Sequence, residues 1–493
     1  MKKYTIIGGG PCGIIVSIIL SMAGNKCEIY DRNKTIGGCH RVDRVNGYFS
    51  EHGPRIYVNN YLNFMEFLKK IDIDFYDLFT PYKYNFPVGL FDALKFMGFY
   101  EIVVMGYHYF NFMFFPSYYE KISIGKILKE NKFTKEAINY FDKMCKLTDG
   151  AGVDKYTAYE FFQLLNQNFF YQIHEPKNPN DEGLWKLIKK KMNELKIKVT
   201  NDITINEINY NKKTKKIDYI VSTDDKINVN NLILAIPPYN IMQLLSKSSE
   251  IVKNSFMDYK KLKSYANHTN YIPYLTFTVH WKNKVSIKDI WGNGFGKWGV
   301  AWINMADYFE NTKGSLLTCA IVELDTKSDK TNKTANETES VDELIQEGFR
   351  QINKILETSK PDKILLNPSV KRENNKWITY DTAYMKTVKS FHFPFKSKIS
   401  NLFTVGSHNE KSFYAFTSME SSTSNSIEFC NLIDSKTKDI ITKDKKSIYT
   451  VNKFVVHLTL FILIVIIYIY RESVINYLPS TERLSLILSN TIL

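Results

Sequence analysis

The sequence predicts an α/β protein with a doubly wound, Rossmann-like first domain, a second domain of mixed α+β structure and a C-terminal transmembrane helix. Three observations predict the first domain: a strand, a glycine-rich turn and a helix open the chain, an apolar strand at 229–238 ends in two prolines, and a strand near residue 400 runs into Gly406. The chain has 493 residues, of which 44% are hydrophobic, so it can bury the cores of two lobes.

The first forty residues contain a nucleotide-binding pattern. An apolar strand, Tyr4 to Ile7, and a helical stretch, Ile14 to Ala23, flank a turn that reads Gly8, Gly9, Gly10, Pro11, Cys12, Gly13. Gly8 permits the tight turn, Gly10 leaves room for a pyrophosphate beside the backbone, and Gly13 lets the helix pack close to the strand. The pyrophosphate is then expected at the helix N-terminus.

An acidic residue stands at the distance that such a domain requires. A second strand, Lys26 to Tyr30, is followed by Asp31, eighteen residues after Gly13. A carboxylate at this position receives the ribose hydroxyls of the nucleotide. A glycine turn alone is weak evidence, but the strand, the helix and the acid agree, so the sequence predicts a dinucleotide-binding site.

The next residues indicate which dinucleotide is bound. The segment 31–41 resembles the E-R/A-x-x-x-x-G-G-R continuation of the family of FAD-dependent amine oxidases, protoporphyrinogen oxidases and phytoene desaturases. The resemblance implies contacts with FAD from Asp31, Arg32, Gly38 and Arg41. The segment departs from the pattern twice, because an Asp replaces the usual Glu and Cys39-His40 displaces the arginine. An ordinary loop at Gly37-Gly38 is the alternative interpretation.

A Gly-Pro-Arg segment follows in the next part of the chain. Gly53, Pro54 and Arg55 resemble the protoporphyrinogen oxidase branch of the family, in which this segment passes near the isoalloxazine ring. The resemblance implies that Gly53, Pro54 and Arg55 contact the flavin or an acidic group of the substrate. The alternative, from the residues alone, is a turn with an exposed arginine.

Later segments resemble the parts of the chain that return to the same domain. Ile205 is placed like a residue whose backbone meets the adenine, and 229–238 resembles a buried crossing strand. The segments 399–406 and 417–422 resemble the closing FAD motif of the family, and this resemblance implies cofactor contacts from Gly406, Met419 and Glu420. In that motif a helix N-terminus stabilises the negative charge of the reduced flavin. Ser421-Ser422 replaces the usual Gly-Ala but keeps the backbone donors, and without a cysteine at the attachment position the FAD is expected to be non-covalent.

These segments predict a discontinuous domain organisation. The FAD-binding domain is expected from residues 1–80, 176–240 and 396–435, and the substrate domain from residues 81–175 and 241–395. A basic linker at 436–453, a transmembrane helix at 454–470 and a short tail at 471–493 would follow. The resemblance to the family covers the first domain and hardly extends into the second.

The predicted substrate domain contains the most aromatic part of the chain, Phe86 to Tyr119. Glu101 and His108 argue against a membrane span there, so we expect helices that form plain core or the wall of an apolar channel. His108 is expected to be half-buried and hydrogen-bonded. Amine oxidases of the family carry a lysine near Ile272-Pro273-Tyr274, and its absence argues against an ordinary amine oxidase. Lys327 to Thr338 is expected to be a solvated loop.

Charge and cysteine content exclude several classes of function. The net charge is +14, but the lysines are spread among Asn, Ile and Tyr, and no basic stripe that would read nucleic acid is present. The charge would also suit an anionic membrane surface. The six cysteines show no metal-binding spacing, which predicts no metal site and favours a reducing compartment.

The C-terminal region contains one long apolar run. Phe454 to Tyr470 has seventeen uncharged residues, the lower limit for a bilayer span. Because only Arg471 to Leu493 follows, we expect a single-pass tail anchor. Lysines on its N-terminal side would keep the catalytic domain in the cytosol, at the endoplasmic reticulum or the outer mitochondrial membrane: Lys443, Lys445, Lys446 and Lys453. A buried core helix is the alternative.

Together, these features predict a tail-anchored FAD-dependent oxidoreductase. The expected reaction transfers a hydride to flavin N5 from a small hydrophobic substrate, at a C–H bond next to nitrogen or at an allylic or ring position, and oxygen or another acceptor reoxidises the flavin. An amine or polyamine oxidase and a redox-neutral flavin isomerase are alternatives with the same fold. A membrane-tethered scaffold without turnover is the alternative of another class. No catalytic residue beyond the flavin is predicted.

Overall fold

The computed structural model describes residues 1–51, 56–83, 96–149, 151–223, 225–271, 275–287, 291–379, 384–385, 393–409, 418–444 and 451–470. The chain divides into two compact units, Met1–Asp444 and Lys445–Leu493. The predicted FAD-binding and substrate domains both fall within the first unit.

Along most of the described chain, runs of strands are followed by runs of helices. The strands are β1 (Lys3–Ile7), β2 (Lys26–Tyr30), β3 (Val42–Val45), β4 (Tyr48–Glu51), β5 (Tyr57–Val58), β6 (Phe79–Pro81), β7 (Ile173–Pro176), β8 (Lys198–Thr200), β9 (Ile205–Asn211), β10 (Lys216–Ser222), β11 (Lys226–Asn228), β12 (Asn231–Leu234), β13 (Asn270–Tyr271), β14 (Leu275–Trp281), β15 (Trp291–Phe295), β16 (Val300–Asn304), β17 (Ser315–Ile321), β18 (Lys363–Leu366), β19 (Val370–Glu373), β20 (Lys376–Thr379), β21 (Tyr384–Met385) and β22 (Leu402–Thr404). The helices are α1 (Pro11–Met22), α2 (Leu62–Lys70), α3 (Phe75–Leu78), α4 (Phe99–Phe114), α5 (Pro116–Tyr119), α6 (Ile124–Glu130), α7 (Lys135–Asp149), α8 (Ala158–Phe170), α9 (Leu184–Glu194), α10 (Pro238–Ser246), α11 (Glu250–Lys253), α12 (Tyr259–His268), α13 (Val341–Leu356), α14 (Met419–Ile433) and α15 (Val451–Ile469). Short 3-10 helices cover Gly38–His40, Met305–Asp307, Ser407–Asn409 and Ser435–Asp439.

A parallel sheet in the order β22-β12-β1-β2-β8 forms the centre of the predicted FAD-binding domain. Ile6 of β1 pairs with Ile29 of β2 on one side and with Ile233 of β12 on the other. Because these strands are parallel, their carboxyl ends meet at one edge of the sheet. β1 and β12 are buried along nearly their whole length, as expected for a parallel sheet that is covered on both faces.

Helices α1 and α14 lie side by side and run in the same direction. Near their N-terminal ends the thiol of Cys12 donates to the carbonyl oxygen of Ser422 at 3.7 Å. Further along, the thiol of Cys430 approaches the carbonyl oxygen of Val16 at 4.0 Å. Residue numbers rise along both helices from the first contact to the second, so the two N-termini point in the same direction.

The second lobe of the first unit is built on an antiparallel sheet in the order β15-β16-β17-β14-β18. The pairing of β14 with β17 runs from Leu275 opposite Ile321 to Trp281 opposite Ser315. Helix α13 packs closely on this sheet, since a Cβ at Gly348 would lie 3.2 Å from the side chain of Ile321. The sheet β11-β10-β9 and helices α10 to α12 share an apolar core with residues of the parallel sheet, among them Ile7 and Leu232.

Most predicted elements of the first domain are confirmed, with small changes at their ends. The strand predicted at Lys26 to Tyr30 has these bounds in the structure, and the strand predicted at 229–238 covers Asn231–Leu234. The prediction ran too long there because Pro237 and Pro238 start α10. Proline fixes φ and lacks a backbone N–H, so it suits the first turn of a helix and not the interior of a strand.

The predicted loop Lys327 to Thr338 is a loop of mostly exposed or half-buried residues, whereas the start of the predicted linker is packed. In the loop Lys327 to Thr338, Ser328 and Thr338 are buried, and the Ser328 hydroxyl binds Glu347. The linker predicted from residue 436 begins later, because Thr437 is buried and the chain remains part of the first unit up to Asp444. Both segments are polar, and composition alone does not distinguish polar groups that bind water from polar groups that bind each other.

The aromatic segment is confirmed as helical where it is described. Residues 84–95 lie outside the described part, and α4 and α5 follow. Met105 and Phe112 are buried, whereas Phe99 is 79% exposed and Tyr107 is 62% exposed, so core packing is correct for one face of α4 alone. His108 is half-buried as predicted, and its ring nitrogens lie 3.2 Å from the Tyr119 hydroxyl and 3.4 Å from Nδ2 of Asn131.

The described part of the second unit is helix α15. Several of its apolar side chains are exposed, including Leu460, Ile464 and Ile469. Within the residues that the structure describes, no helix has the combination of length and apolar character needed to cross a membrane. The transmembrane helix predicted at 454–470 is therefore not confirmed.

Candidate functional site

The glycine turn brings α1 close to the end of β1. Gly8 has a φ of +108°, and a Cβ at this position would lie 2.4 Å from the carbonyl oxygen of Ala235. A Cβ at Gly13 would lie 2.0 Å from the carbonyl oxygen of Gly8. Neither position accommodates a side chain, so the close packing of helix and strand predicted from Gly13 is confirmed.

Gly10 borders a space at the start of α1 that the described residues leave open. A Cβ at Gly10 would meet one described neighbour within 4 Å, the Cα atom of Gly38 at 3.8 Å. The helix begins at Pro11, and its described first turn has neither a side-chain cap nor an acidic residue. The backbone N–H groups of Cys12 and Gly13 and the positive end of the helix dipole are therefore suited to an anion.

The carboxylate of Asp31 holds the glycine turn in place. Its Oδ2 accepts the backbone N–H of Gly9 at 2.6 Å, and its Oδ1 accepts the backbone N–H of Asn33 at 2.7 Å. The side chain is buried at the carboxyl end of β2, where the sequence predicted it. Its contact with ribose hydroxyls stays a prediction, as does the cofactor contact of Arg32, which is exposed.

Two glycine pairs lie directly against each other: Gly9-Gly10 in the first turn and Gly37-Gly38 after β2. The backbone N–H of Gly37 donates to the carbonyl oxygen of Gly9 at 2.7 Å. Gly37 and Gly38 both have positive φ, and a Cβ at Gly38 would lie 2.9 Å from the Cα atom of Gly10. An ordinary surface loop would not require this close approach, so the two pairs form one backbone surface beside the N-terminus of α1.

Arg41 lies just after this surface and is buried. Its guanidinium forms an ion pair with Asp43 at 3.1 Å and donates to the hydroxyl of Ser369 at 3.1 Å. The sequence did not predict this contact with the second lobe. The predicted contact of Arg41 with the cofactor stays a prediction. Trp185 fixes the same turn from α9, because its Nε1 donates to the carbonyl oxygen of His40 at 2.9 Å.

A capping box begins α14. The Ser418 hydroxyl accepts the backbone N–H of Ser421 at 3.0 Å, and the Ser421 hydroxyl accepts the backbone N–H of Ser418 at 2.8 Å. The backbone donors were predicted to survive the change to Ser421-Ser422, but the N–H of Ser421 is already bound to Ser418. The N–H groups of Met419 and Glu420, at the first two helical positions, remain as the candidate donors to a cofactor.

Gly406 and Ile205 flank the site from two other segments. The backbone N–H of Gly406 donates to Oδ1 of Asn409 at 2.8 Å, and its carbonyl oxygen accepts Nδ2 of Asn425 on α14 at 2.8 Å. Ile205 is the first residue of β9, and two residues earlier the N–H of Ile203 donates to the carbonyl oxygen of Asp31 at 3.0 Å. The cofactor contacts predicted for Gly406 and Ile205 stay predictions.

The side chain of Glu420 contacts helix α2. Its Oε1 accepts the backbone N–H of Asn63 at 3.2 Å and Nδ2 of Asn63 at 2.6 Å, and its Oε2 accepts the backbone N–H of Phe64 at 3.0 Å. Burial raises the pKa of Glu420 to about 7, although these donors oppose the rise. The cofactor contact predicted for Glu420 stays a prediction. The sequence contained no signal for Asn63, because the two residues lie 357 positions apart.

Gly53, Pro54 and Arg55 lie outside the described residues. The chain on either side of them is well anchored. Glu51 is buried and accepts the backbone N–H of Asn180 at 3.0 Å, and Tyr57 stacks on Phe79 with ring centroids 4.0 Å apart.

The site fits the pyrophosphate of a dinucleotide. Gly10 and Gly38 leave an open backbone surface, and the uncapped N-terminus of α1 and the N-terminus of α14 lie beside it. The thiol of Cys12 adds no negative charge, because burial raises its pKa to about 11. This is the carboxyl edge of a parallel sheet, where ligands of doubly wound folds bind.

Comparison with known proteins supports the same fold. Residues 6–71 match the family of NAD(P)-binding Rossmann-like domains. A stretch of 53 residues is 38% identical to a 4,4'-diapophytoene desaturase (4,4'-diapolycopene-forming) from Methylomonas sp.. This stretch covers 11% of the present chain and 10% of the desaturase.

Two solved structures resemble nearly the whole chain. The structure of putrescine oxidase bound to putrescine has a TM-score of 0.63 and 12% identity, and the match covers 88% of this chain and 99% of the other. A protein from Exiguobacterium sp. 255-15, described as a protoporphyrinogen oxidase, has a TM-score of 0.59 and 12% identity over 88% of this chain and 98% of the other. At this identity the likeness shows the fold alone, which is a Rossmann-like α/β fold.

Proposed function

We propose that this chain is an FAD-dependent oxidoreductase that removes a hydride from a hydrophobic substrate. The observation that carries the proposal is the meeting of two glycine pairs, an uncapped helix N-terminus and a second, parallel helix N-terminus at one edge of the sheet. A single anion-binding turn would serve any nucleotide. A second helix N-terminus beside it suits a cofactor whose ring system becomes negatively charged on reduction.

Each part of the site has a distinct task in this proposal. The backbone N–H groups of Cys12 and Gly13 bind the pyrophosphate, and Gly10 and Gly38 let it approach the backbone. The N-terminus of α14 offers positive charge to the ring system. Bound FAD supplies N5 as the hydride acceptor and passes the electrons on to oxygen or another acceptor.

The substrate class is proposed as ring-bearing, allylic or amine. The similarity to a desaturase favours an allylic or ring C–H bond, and the similarity to putrescine oxidase keeps a C–H bond next to nitrogen as the alternative. The absence of a lysine at 272–274 counts against the amine, and these residues lie outside the described part. Aromatic side chains supply much of the second lobe, as in the buried pair of Phe112 and Phe162.

Spectroscopy of the full-length protein tests the cofactor assignment. We expect a yellow protein that releases one FAD per chain on denaturation. Anaerobic screening should then find a cyclic, allylic or amine compound that bleaches the flavin absorption. A colourless protein that binds a nicotinamide nucleotide would contradict the proposal, and a yellow protein that no compound bleaches would favour the scaffold without turnover.

We also propose that the C-terminal segment attaches the protein to a membrane and leaves the FAD-binding unit in the cytosol. The support is the uncharged run from Phe454 to Tyr470 and the lysines that precede it. The endoplasmic reticulum and the outer mitochondrial membrane both fit this sequence.

A further inference from the structure

Asn63 links Glu420 to the end of the first unit. Its Oδ1 accepts the backbone N–H of Asp444 at 2.8 Å, while its Nδ2 donates to Oε1 of Glu420 at 2.6 Å and lies 3.5 Å from the carbonyl oxygen of Asp444. One amide side chain therefore joins three segments that are distant in sequence: helix α2, the start of α14 and the last residue of the unit.

The carboxylate of Glu420 is surrounded by hydrogen-bond donors. Its two oxygens accept three N–H donors, and two of these are the backbone N–H groups of Asn63 and Phe64 in the first turn of α2. No intrahelical partner exists for N–H groups in a first turn, so the carboxylate satisfies two of them. It also stands in the first turn of α14, and a negative charge is favourable at both helix ends.

The side chain is 3% exposed, so this arrangement is nearly free of water. Hydrogen bonds between a buried carboxylate and N–H donors are short and strong, and the loss of one partner leaves the others unsatisfied. Glu420 therefore ties the start of α14 firmly to the start of α2. The backbone N–H groups that the proposed function assigns to the flavin belong to Met419 and to Glu420 itself.

We propose that Glu420 is a positioning residue for the cofactor: its carboxylate, bound by Asn63 and Phe64 of α2, fixes the N-terminus of α14 where the FAD ring system is held. The inference rests on the proposed function. The inference extends the proposed function, because it assigns part of the retention of the cofactor to a contact outside the glycine motifs. Asn63 orients the carboxylate through the hydrogen bond from its Nδ2 to Oε1 of Glu420.

The experiment compares full-length variants at pH 8, where the carboxylate of the native protein is charged. Glu420→Gln offers one acceptor oxygen to three donors and turns its own N–H₂ group toward another donor. Asn63→Ala removes one donor and keeps the carboxylate. Glu428→Gln is the matched control, because Glu428 is on the same helix, pairs with Lys443 at 3.0 Å and is 38% exposed.

The measurements are the Kd for FAD of the apo-protein, the visible spectrum and reduction potential of the bound flavin, and the Tm without FAD. We expect the Kd to rise about tenfold to hundredfold in Glu420→Gln, to rise less in Asn63→Ala and to stay unchanged in Glu428→Gln. The spectrum or the potential should shift in Glu420→Gln, which general destabilisation of the apo-protein would not cause.

The outcomes separate this inference from the proposed function. If the wild-type protein does not bind FAD, the proposed function fails. If the wild type binds FAD and Glu420→Gln has the same Kd, spectrum and potential, the positioning role is wrong. If Glu420→Gln does not fold, Asn63→Ala decides: weaker FAD binding with a folded chain supports the role, and an unchanged Kd overturns it.

Discussion

The backbone N–H of Gly37 donates to the carbonyl oxygen of Gly9 across 2.7 Å and joins the two glycine pairs of the site. The bond lies next to the contact between Gly38 and Gly10, so two segments of the chain make one surface of bare backbone. A side chain added where the described residues leave space should block ligand binding. A side chain added where backbone atoms lie within 3 Å should disturb folding.

Gly10→Val should abolish FAD binding and leave the fold intact. The new side chain would project into the open space beside the start of α1, where the pyrophosphate is proposed to lie, and the φ of −79° at this position suits valine. We expect the Kd for FAD to rise by about two orders of magnitude or more. The ratio of flavin to protein absorbance, the circular dichroism spectrum and the Tm of the apo-protein provide the measurement.

Gly106→Ala is the control for this variant. It lies within α4, where a Cβ meets no described atom within 4 Å, so it should bind FAD like the wild type. Normal FAD binding by Gly10→Val would show that the pyrophosphate lies elsewhere.

Gly13→Ala should destabilise the protein itself. Its Cβ would lie 2.0 Å from the carbonyl oxygen of Gly8, and this backbone atom moves only if α1 shifts away from β1. Overpacking of this kind costs about 1–3 kcal/mol, so the Tm of the apo-protein should fall as well as its affinity for FAD. Thermal unfolding followed by circular dichroism distinguishes this result from that of Gly10→Val. An apo-protein with unchanged Tm would contradict the close packing of α1 on β1.

Protonation of Glu420 should make stability depend on pH. Burial raises the pKa of Glu420 from its ordinary value of 4.5 to about 7, so between these pH values the native state binds a proton that the unfolded state releases. Its contribution to the free energy of unfolding is fully present below pH 4.5 and is lost as the pH rises through 7. This difference in pKa corresponds to on the order of 3 kcal/mol.

Glu420→Gln cannot titrate and serves as the reference for this effect. The free energy of unfolding of the wild type, relative to that of the variant, should fall between pH 4.5 and 7. The negative charge of Asp444 raises the pKa of Glu420 further. Asp444→Asn should therefore lower this pKa and narrow the pH range over which the free energy of unfolding falls. Parallel stability curves for wild type and Glu420→Gln would exclude a raised pKa.

Removal of the C-terminal segment should release the protein from membranes. Truncation after Lys446 keeps the contact between Asp444 and Asn63 and should give a soluble, FAD-loaded protein. In the full-length chain Ile462→Arg should have the same effect, because an arginine at the centre of an apolar span costs about 2.5–3.5 kcal/mol. Carbonate extraction measures both. If the truncated form stays in the membrane pellet, another surface attaches the protein, and the exposed aromatic face of α4 is the first to test.

The sequence by itself determined the parts of the site that are built from neighbouring residues. The strand Lys26–Tyr30, the turn from Gly8 to Gly13 and the position of Asp31 follow from spacing, because a glycine turn and the helix after it depend on local backbone conformation. The resemblance of later segments then predicted which of them return to the same domain.

The tertiary structure alone decided how the polar side chains are used. Asp31 binds the backbone N–H of Gly9, Arg41 binds Ser369 of the second lobe, and Glu420 binds Asn63 of α2. A buried polar group must find a hydrogen-bond partner, and packing selects a partner that lies 22 positions away for Asp31 but 328 for Arg41 and 357 for Glu420. Spacing along the chain carries no information about such partners, because they become neighbours only when the sheet and its covering helices have assembled.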